Sequence, residues 1–245
     1  WYESALYFII NRITNTWECE NLVLGGGCAY NGTANGKIKK YTSIKNVWIP
    51  FAPSDSGSAI GACLYQHHII MGNPKVKGGD NTSPYLGEEW SNPELLKIIL
   101  QNHRSKVTMH DTHQTLCKEV AKLIEAGSIV GWFQGRTEFG ARALGNRSIL
   151  GNPHLPDIRD RINKVVKKRE MFRPFAQSVT IEDYQKYFAS EEDVPYMNQV
   201  VQVKDGVNIP SVTHVDNSAR IQTLKKEDNP LYYELLKEFE KLTRT

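Results

Sequence analysis

Apolar residues recur at helical spacing in three long stretches of the chain, at 4–16, 111–124 and 230–243. In the last of these, Leu231, Leu235 and Phe239 fall on one face, which is typical of an amphipathic helix packed on a core. Less regular patterns predict further helices at 29–39, 58–70, 92–101, 157–167 and 182–188. Short apolar runs bounded by turn residues predict strands at 21–24, 46–49, 128–133, 175–179, 198–203, 212–214 and 219–223. This alternation of strands and helices predicts an α/β fold.

The region between the first and the second part of the chain is rich in helix and strand breakers. It contains these glycines and prolines: Gly72, Pro74, Gly78, Gly79, Pro84, Gly87 and Pro93. Such a density is typical of a linker. We therefore predict an N-terminal unit at 1–72, an extended linker at 73–110 and a C-terminal unit at 111–245, with no sheet shared between the units.

Composition excludes several classes of protein. The chain has 245 residues, 40% hydrophobic and 23% charged, and a formal net charge of +3, which is ordinary for a globular protein and too small to indicate nucleic acid binding. No apolar run approaches the ~20 residues that span a bilayer, so no membrane association is expected. The cysteines are scattered without a CxxC pair, which favours free thiols and a cytoplasmic location: Cys19, Cys28, Cys63 and Cys117.

The basic character is concentrated in one segment, 131–179. Its cations are Arg136, Arg142, Arg147, Lys164, Lys167, Lys168, Arg169 and Arg173, and they alternate with Gly135, Gly140, Gly145 and Gly151. Glycine lets backbone amides approach an anion, and arginine offers a rigid fork of donors that matches phosphate. This pattern predicts a phosphate-type site. The alternative to a phosphate-type site is a basic helix face exposed to solvent, and residues 164–169 taken alone could form such a face.

Two strings in this segment resemble a known family. QGRTEFGARALGNRSIL and KKREMFRPFA are similar to the signature of the NodU/CmcH-type O-carbamoyltransferases, with one departure at Ala141, where the family usually has proline. The resemblance implies an α/β protein in which the end of an actin-like (ASKHA-type) domain precedes a YrdC-like domain. In this division, 1–72 would belong to the actin-like domain and 111–245 to most of the YrdC-like domain.

The resemblance also implies a binding site for ATP and carbamoyl phosphate. The family's contacts fall on Arg142, Lys167, Arg173 and Arg220. Additional phosphate contacts are expected from Arg136, Gly140, Gly145, Arg147 and Ser148. We expect the first four to converge on one cleft of the C-terminal unit. For Arg220, a surface ion pair with Asp216 is the alternative.

A metal ligand is implied at Asp55. LGGGCAYN at 24–31 and PSDSGSAIGA at 53–62 match family segments in which an aspartate ligates a divalent metal, expected to be iron. Asp55 also suits a helix cap, and one oxygen ligand cannot hold a metal alone. The histidine pairs at 67–68 and at 110 and 113 lack a partner at ligand spacing. Glu138 suits either a base or an ion pair with a neighbouring arginine.

The resemblance implies a two-stage reaction. Carbamoyl phosphate and ATP, with Mg²⁺, would form carbamoyl-adenylate, and the carbamoyl group would pass to a hydroxyl of a natural product or a sugar-like acceptor. Family segments expected before Trp1 and after Thr245 are missing from the sequence, so we expect incomplete activity from this chain alone, and homodimers through exposed core surface. The alternatives are a nucleotide- or RNA-binding YrdC-like module of the tRNA-modification type, and an inactive interaction domain. Few aromatic residues lie among the cations, which disfavours nucleic acid.

Overall fold

The computed structural model describes residues 1–75, 83–103 and 107–244. The helices are α1 (Tyr2–Trp17), α2 (Gly32–Asn35), α3 (Ile38–Tyr41), α4 (Asp55–Tyr65), α5 (Asn92–His103), α6 (His113–Glu125), α7 (Ile158–Arg161), α8 (Tyr184–Tyr187) and α9 (Pro230–Thr243). A 3-10 turn covers Gly27–Tyr30, and π-helical turns extend α4 over Gln66–Ile70 and α7 over Ile162–Lys167. The strands are β1 (Asn21–Val23), β2 (Asn46–Trp48), β3 (Val130–Phe133), β4 (Arg147–Leu150), β5 (Ala176–Thr180), β6 (Val200–Gln202) and β7 (Ser218–Leu224).

Three small sheets organise these strands. β1 and β2 pair in parallel in the N-terminal unit, whereas β3 and β4 form an antiparallel hairpin in the C-terminal unit. In the third sheet, β7 lies between β5, with which it is parallel, and β6, with which it is antiparallel. The predicted α/β class is confirmed. Among the strands of the described ranges, none of the 1–72 part pairs with one of the 111–244 part.

The long amphipathic helices are where their periodicity predicts them. α9 begins at Pro230, with the Asn229 side chain accepting a hydrogen bond from the amide of Tyr232. Proline is favoured at the first helical position because its missing N–H would have no partner there. α6 begins after Thr112, whose side chain accepts a hydrogen bond from the amide of Thr115. The facing sides of α6 and α9 form a buried core with Trp132 of β3.

Two local predictions are wrong, and one strand is missing from the predictions. Residues 212–214 form turns rather than a strand, because the amides of Val212 and Thr213 bond back to the carbonyl of Ile209. The helix predicted over 29–39 is broken into short turns around Gly36, whose Cα lies so close to β6 that an added Cβ would stand 2.1 Å from the carbonyl oxygen of Val200. Strand β4 was not predicted at all, since its first residues belong to the basic motif.

The N-terminal unit packs against the C-terminal unit through buried asparagines. The Asn35 side chain donates to the carbonyls of Ala29 at 2.7 Å and Asn198 at 2.8 Å. The Asn198 side chain in turn donates to the carbonyl of Ile49 at 2.9 Å. These bonds tie α2 and the end of β2 to the segment before β6, so that residues of both units lie near the basic motif.

Part of the segment predicted as a linker lies against the C-terminal unit. The amide of Gly87 donates to the carbonyl of Thr137 at 2.9 Å, and the amide of Thr137 donates to the carbonyl of Glu88 at 3.0 Å. The amide of Phe139 donates to the carbonyl of Pro84 at 2.7 Å. This short ladder fixes one side of the loop between β3 and β4. Within the described residues, none of the helices is long and apolar enough to cross a membrane.

Candidate anion-binding site

The loop between β3 and β4 folds around the carboxylate of Glu138. Its Oε1 atom accepts hydrogen bonds from the amides of Leu144 at 2.7 Å, Asn146 at 2.8 Å and Arg147 at 3.2 Å. Glu138 is 9% exposed, and the expected ion pair with an arginine is not formed in the described part of the chain. Glu138 therefore holds the loop that carries Arg142, and its carboxylate is already engaged by backbone donors.

A buried network of side-chain amides and one tyrosine hydroxyl stabilises the same loop. The Asn229 side chain donates to Asn146 Oδ1 at 2.8 Å and to the Tyr85 hydroxyl at 3.1 Å. The Tyr85 hydroxyl donates to the carbonyl of Leu144 at 2.9 Å. Gln134 Nε2 donates to Asn146 Oδ1 at 2.8 Å and to Asn229 Oδ1 at 2.6 Å. A satisfied network of this kind gives the loop one defined conformation before any ligand binds.

The glycines of the motif serve the packing of the loop. Gly145 has φ 110°, and a Cβ at this position would lie 2.4 Å from Cδ1 of Tyr232. Gly140 has φ 119°, and a Cβ there would lie 3.0 Å from the carbonyl oxygen of Phe51 in the N-terminal unit. Neither glycine is part of the cavity wall described below. Their conformations explain why the motif needs glycine at these positions without a ligand contact.

A cavity of about 290 Å³ lies between β4, β5, α9 and the segment 158–169. The polar Ser148 lines it, and its hydroxyl accepts a hydrogen bond from the amide of Gly145 at 3.0 Å. The cations in its wall are Arg142, Arg159, Lys167, Arg169 and Arg220. Among the described residues, no aspartate or glutamate lines it. Three of the four residues assigned by resemblance, Arg142, Lys167 and Arg220, are thus brought together.

Two guanidinium groups in this wall each have one buried nitrogen without a hydrogen-bond partner in the described part of the chain. Nε of Arg142 and Nε of Arg220 are inaccessible to solvent and have no hydrogen-bond partner in the described ranges. Burial, together with the charges of Arg142 and Arg169, lowers the pKa of Arg220 to about 10. Burial also lowers the pKa of Arg142. A guanidinium group stays charged at neutral pH, and buried charges are normally paired, so the chemistry of this wall is suited to an anion.

The alternative role of Arg220 is wrong. Asp216 accepts hydrogen bonds from the hydroxyl of Ser218 at 2.6 Å and from its amide at 3.2 Å, and forms no ion pair with Arg220 within the described chain. His214 lies close enough that the charge of Arg220 adds to burial in lowering its pKa. His214 Nδ1 contacts the Ser218 hydroxyl at 3.0 Å, and its buried Nε2 has no partner among the described residues.

Arg136 and Arg147 hold the loop rather than lining the cavity. Nε of Arg136 donates to the carbonyl of Gly87 at 3.1 Å. The guanidinium of Arg147 donates to the carbonyls of Gln134 at 2.5 Å and Gly135 at 3.0 Å. It also lies 3.5 Å from the ring centroid of Phe133. Both side chains therefore stabilise the loop through these contacts.

Arg173 lies outside the cavity wall. Its guanidinium is about half exposed and lies 3.9 Å from the Glu170 carboxylate. Burial is the main cause of the lowered pKa of Arg169, and the charge of Arg173 is the second cause. Arg173 is therefore close to Arg169, at the rim of the cavity. The four predicted residues do not all line one cavity: three do, and Arg173 stands next to it.

Two side chains at the site were not assigned from the sequence. Arg169 of the KKREMFRPFA string lines the cavity. Tyr30 of the N-terminal unit lies under Arg142, with the guanidinium 5.2 Å from the ring centroid. Its hydroxyl is buried and has no partner within the described residues. Both residues lie inside strings that resemble the family, and this position could have indicated a role at the site. Their residue types alone do not distinguish them from surface residues.

The described residues do not fit a metal centre. Asp55 is exposed at the first position of α4, after Ser54, which occupies the cap position. No group of three or more His, Cys, Asp or Glu close enough to hold a metal occurs among the residues searched, which are those described. His67 and His68 contact Asn73 instead, each at 3.1 Å. A single exposed carboxylate does not make a metal site.

The fold and cavity define an α/β protein with a cavity that is lined by five cations and, among the described residues, by no carboxylate. Comparison with known proteins identifies its family: the carbamoyltransferase N-terminus profile matches residues 1–64, and the carbamoyltransferase C-terminus profile matches residues 121–245. The chain belongs to the carbamoyltransferase family, as the sequence resemblance predicted, and this is a family of enzymes.

Curated relatives agree with this assignment. The chain is 39% identical to the protein sll1178 of Synechocystis over 98% of this chain and 43% of the relative. It is 36% identical to the nodulation protein NolO of Bradyrhizobium diazoefficiens over 98% of this chain and 44% of the relative. It is 34% identical to the 3'-hydroxymethylcephem-O-carbamoyltransferase of Amycolatopsis lactamdurans over 91% of this chain and 40% of the relative. The chain thus spans less than half the length of these relatives.

Proposed function

We propose that the chain is part of an ATP-dependent O-carbamoyltransferase and that its cavity binds ATP and carbamoyl phosphate. The observation that carries this proposal is the pair of buried, unpartnered Nε atoms of Arg142 and Arg220 in a wall that, among the described residues, has no carboxylates. They lie in the region that matches the carbamoyltransferase C-terminus. Guanidinium groups are the side chains best suited to bidentate contacts with phosphate.

In the domain arrangement that we propose, 1–72 belong to an actin-like carbamoyl-transfer domain and 111–245 to a YrdC-like domain, with 73–110 between them. The separate family profiles for 1–64 and 121–245 support two functional parts. The separate sheets of the two units are consistent with this division.

The first stage of the proposed reaction is the formation of carbamoyl-adenylate. Water cleaves carbamoyl phosphate to phosphate and carbamate, and a carbamate oxygen then bonds to the α-phosphorus of ATP while the bond to pyrophosphate breaks. Negative charge gathers on the phosphoryl oxygens in this step, and donors already held in place stabilise it most effectively. Arg142 and Arg220 would bind these oxygens directly, and Ser148 would line the same wall.

The second stage is transfer to a hydroxyl group. The acceptor oxygen bonds to the carbamoyl carbon, the bond to AMP breaks and the hydroxyl proton is released. For the Amycolatopsis relative, the name specifies a 3'-hydroxymethylcephem acceptor. For this chain we propose a hydroxylated small molecule, such as a natural product or a sugar-like compound.

Magnesium bound with the nucleotide would neutralise part of the triphosphate charge. A divalent metal such as iron, implied by the resemblance for the actin-like domain, would have one candidate ligand within the described ranges, Asp55. The chain's own residues would bind and orient the phosphates.

Isothermal titration of the chain with ATP, with carbamoyl phosphate and with a short RNA tests the proposal. We expect binding of ATP and carbamoyl phosphate, and a loss of affinity of about 10- to 100-fold in Arg142→Gln, Lys167→Ala and Arg220→Gln. Arg12→Gln, which removes an exposed cation of α1, is the control and should leave affinity unchanged. Absence of ATP binding, or tighter binding of RNA than of ATP, would refute the proposal.

A further inference from the structure

Arg169 brings a third guanidinium group to the cavity. It lines the same wall as Arg142 and Arg220, and its charge contributes to the lowered pKa of Arg220. The three residues come from separate parts of the fold: the β3–β4 loop, the turn after α7, and β7. Their convergence is therefore a product of tertiary structure and not of one basic helix face.

The side chain of Arg169 is held from two directions. Its Nε donates to Asn163 Oδ1 at 2.7 Å, and its guanidinium lies 4.9 Å from the ring centroid of Phe175. Asn163 is fully buried and donates to the carbonyls of Met171 at 3.1 Å and Arg173 at 2.9 Å. The partner of Nε thus belongs to a fixed turn, which leaves the two terminal nitrogens of Arg169 available to the cavity.

The orientation of Arg169 has an electrostatic cost. Arg142 and Arg169 each repel Arg220, and no carboxylate lines the cavity wall within the described residues. The nearby Glu170 lies 3.9 Å from Arg173 and offsets only part of the effect of burial and of Arg173 on Arg169, whose pKa stays lowered. By contrast, Arg159 in the same wall has its own counter-charge, with Nε 3.0 Å from the carboxylate of Asp160. Unbalanced charges fixed by packing are typical of a site that binds an ion of opposite sign.

We propose that Arg169 is a further anion-binding residue, whose terminal nitrogens contact the same phosphate group as Arg142 and Arg220. This inference rests on the proposed function and deepens it, because it assigns a third guanidinium group to the contacts with the phosphate. The chemistry recognised is a phosphate monoester or the terminal phosphate of a polyphosphate. Carbamoyl phosphate and the phosphates of ATP are the two sources of that chemistry.

Titration of wild type, Arg169→Gln, Arg169→Lys and Arg12→Gln with pyrophosphate, ATP and carbamoyl phosphate tests this role. We expect Arg169→Gln to weaken at least one of the three ligands by about 10- to 100-fold. Arg169→Lys keeps the charge but loses the fork, and should recover part of that loss. Arg12→Gln removes an exposed cation of α1 that does not line the cavity, and it should change affinity by less than about twofold.

Thermal unfolding without ligand separates binding from folding. Arg169→Gln should melt within about 3 °C of wild type, because the lost bond to Asn163 is offset by reduced repulsion. If Arg169→Gln binds all three ligands as wild type does while Arg142→Gln and Arg220→Gln do not, the role of Arg169 is refuted and the proposed function stands. If wild type binds none of the three ligands, both proposals fail.

Discussion

Removal of the Glu138 carboxylate should unfold the loop on which the anion site is built. One oxygen of this nearly buried side chain holds three backbone amides, at 2.7, 2.8 and 3.2 Å. An amide left without a partner in a buried position costs about 1–3 kcal/mol. Since water will reach some of the amides, we expect Glu138→Ala to lower the free energy of unfolding by about 3–5 kcal/mol.

Glu138→Gln provides a graded comparison, because it keeps an acceptor oxygen and removes only the charge. Neutral hydrogen bonds are weaker than charge-assisted ones by about 1 kcal/mol each, so the expected loss is about 1–3 kcal/mol. Urea denaturation, followed by circular dichroism, measures the free energy of unfolding of both Glu138 variants. Glu191→Ala, at an exposed position, is the control and should stay within about 0.5 kcal/mol of wild type. If Glu138→Ala is as stable as this control, the structural role assigned to the carboxylate is incorrect.

The remaining predictions concern one backbone position and one pH dependence. Gly145→Ala should lower the free energy of unfolding by about 3 kcal/mol or more, because of the positive φ and the collision with an aromatic ring. Gly61→Ala, where an added Cβ meets nothing, is the control and should not destabilise the fold. Thermal melts of both variants check this. For Asp183, burial would raise the pKa, but hydrogen bonds from Lys186, Lys237 and a threonine outweigh it and hold the pKa below its ordinary value. The ionised group therefore stabilises the fold above about pH 4, and this stability is lost as pH falls further. In melts from pH 7 to pH 3, the stability difference between wild type and Asp183→Asn should shrink with falling pH; a constant difference would contradict the assignment.

The helices that carry strong periodicity were predictable from the sequence, and the short strands less so. α1, α6 and α9 follow directly from one-sided apolar patterns, because a helix that packs on a core must place its apolar residues at that spacing. Strand β4 was hidden because Arg147 and Ser148 suggested ligand contacts rather than a hairpin. Val212 is buried in a turn, so its apolar character reflected core packing without strand structure.

The cations of the motif could not be sorted from the sequence. Arg142 and Arg147 occupy equivalent places in a Gly-x-Arg repeat, yet the first has a buried Nε without a partner among the described residues. The second donates to three carbonyls of its own hairpin. The difference depends on which carbonyls the folded loop brings within reach. That in turn depends on Glu138 and on Asn229, which is distant along the chain. Only tertiary structure supplies this information.

The anion site also receives a contribution from the N-terminal unit, which bears on how the two family regions work together. Tyr30 lies against the guanidinium of Arg142, and Gly140 lies against the backbone of Phe51, so the loop that carries Arg142 touches the N-terminal unit at two points. In the two-stage reaction that we propose, the carbamoyl group formed beside Arg142 must pass to the domain that contains Tyr30. A change in the position of either unit would therefore alter the wall of the cavity itself. If the cavity binds the phosphates as we propose, the contact between the units would help to position a cation of the binding site.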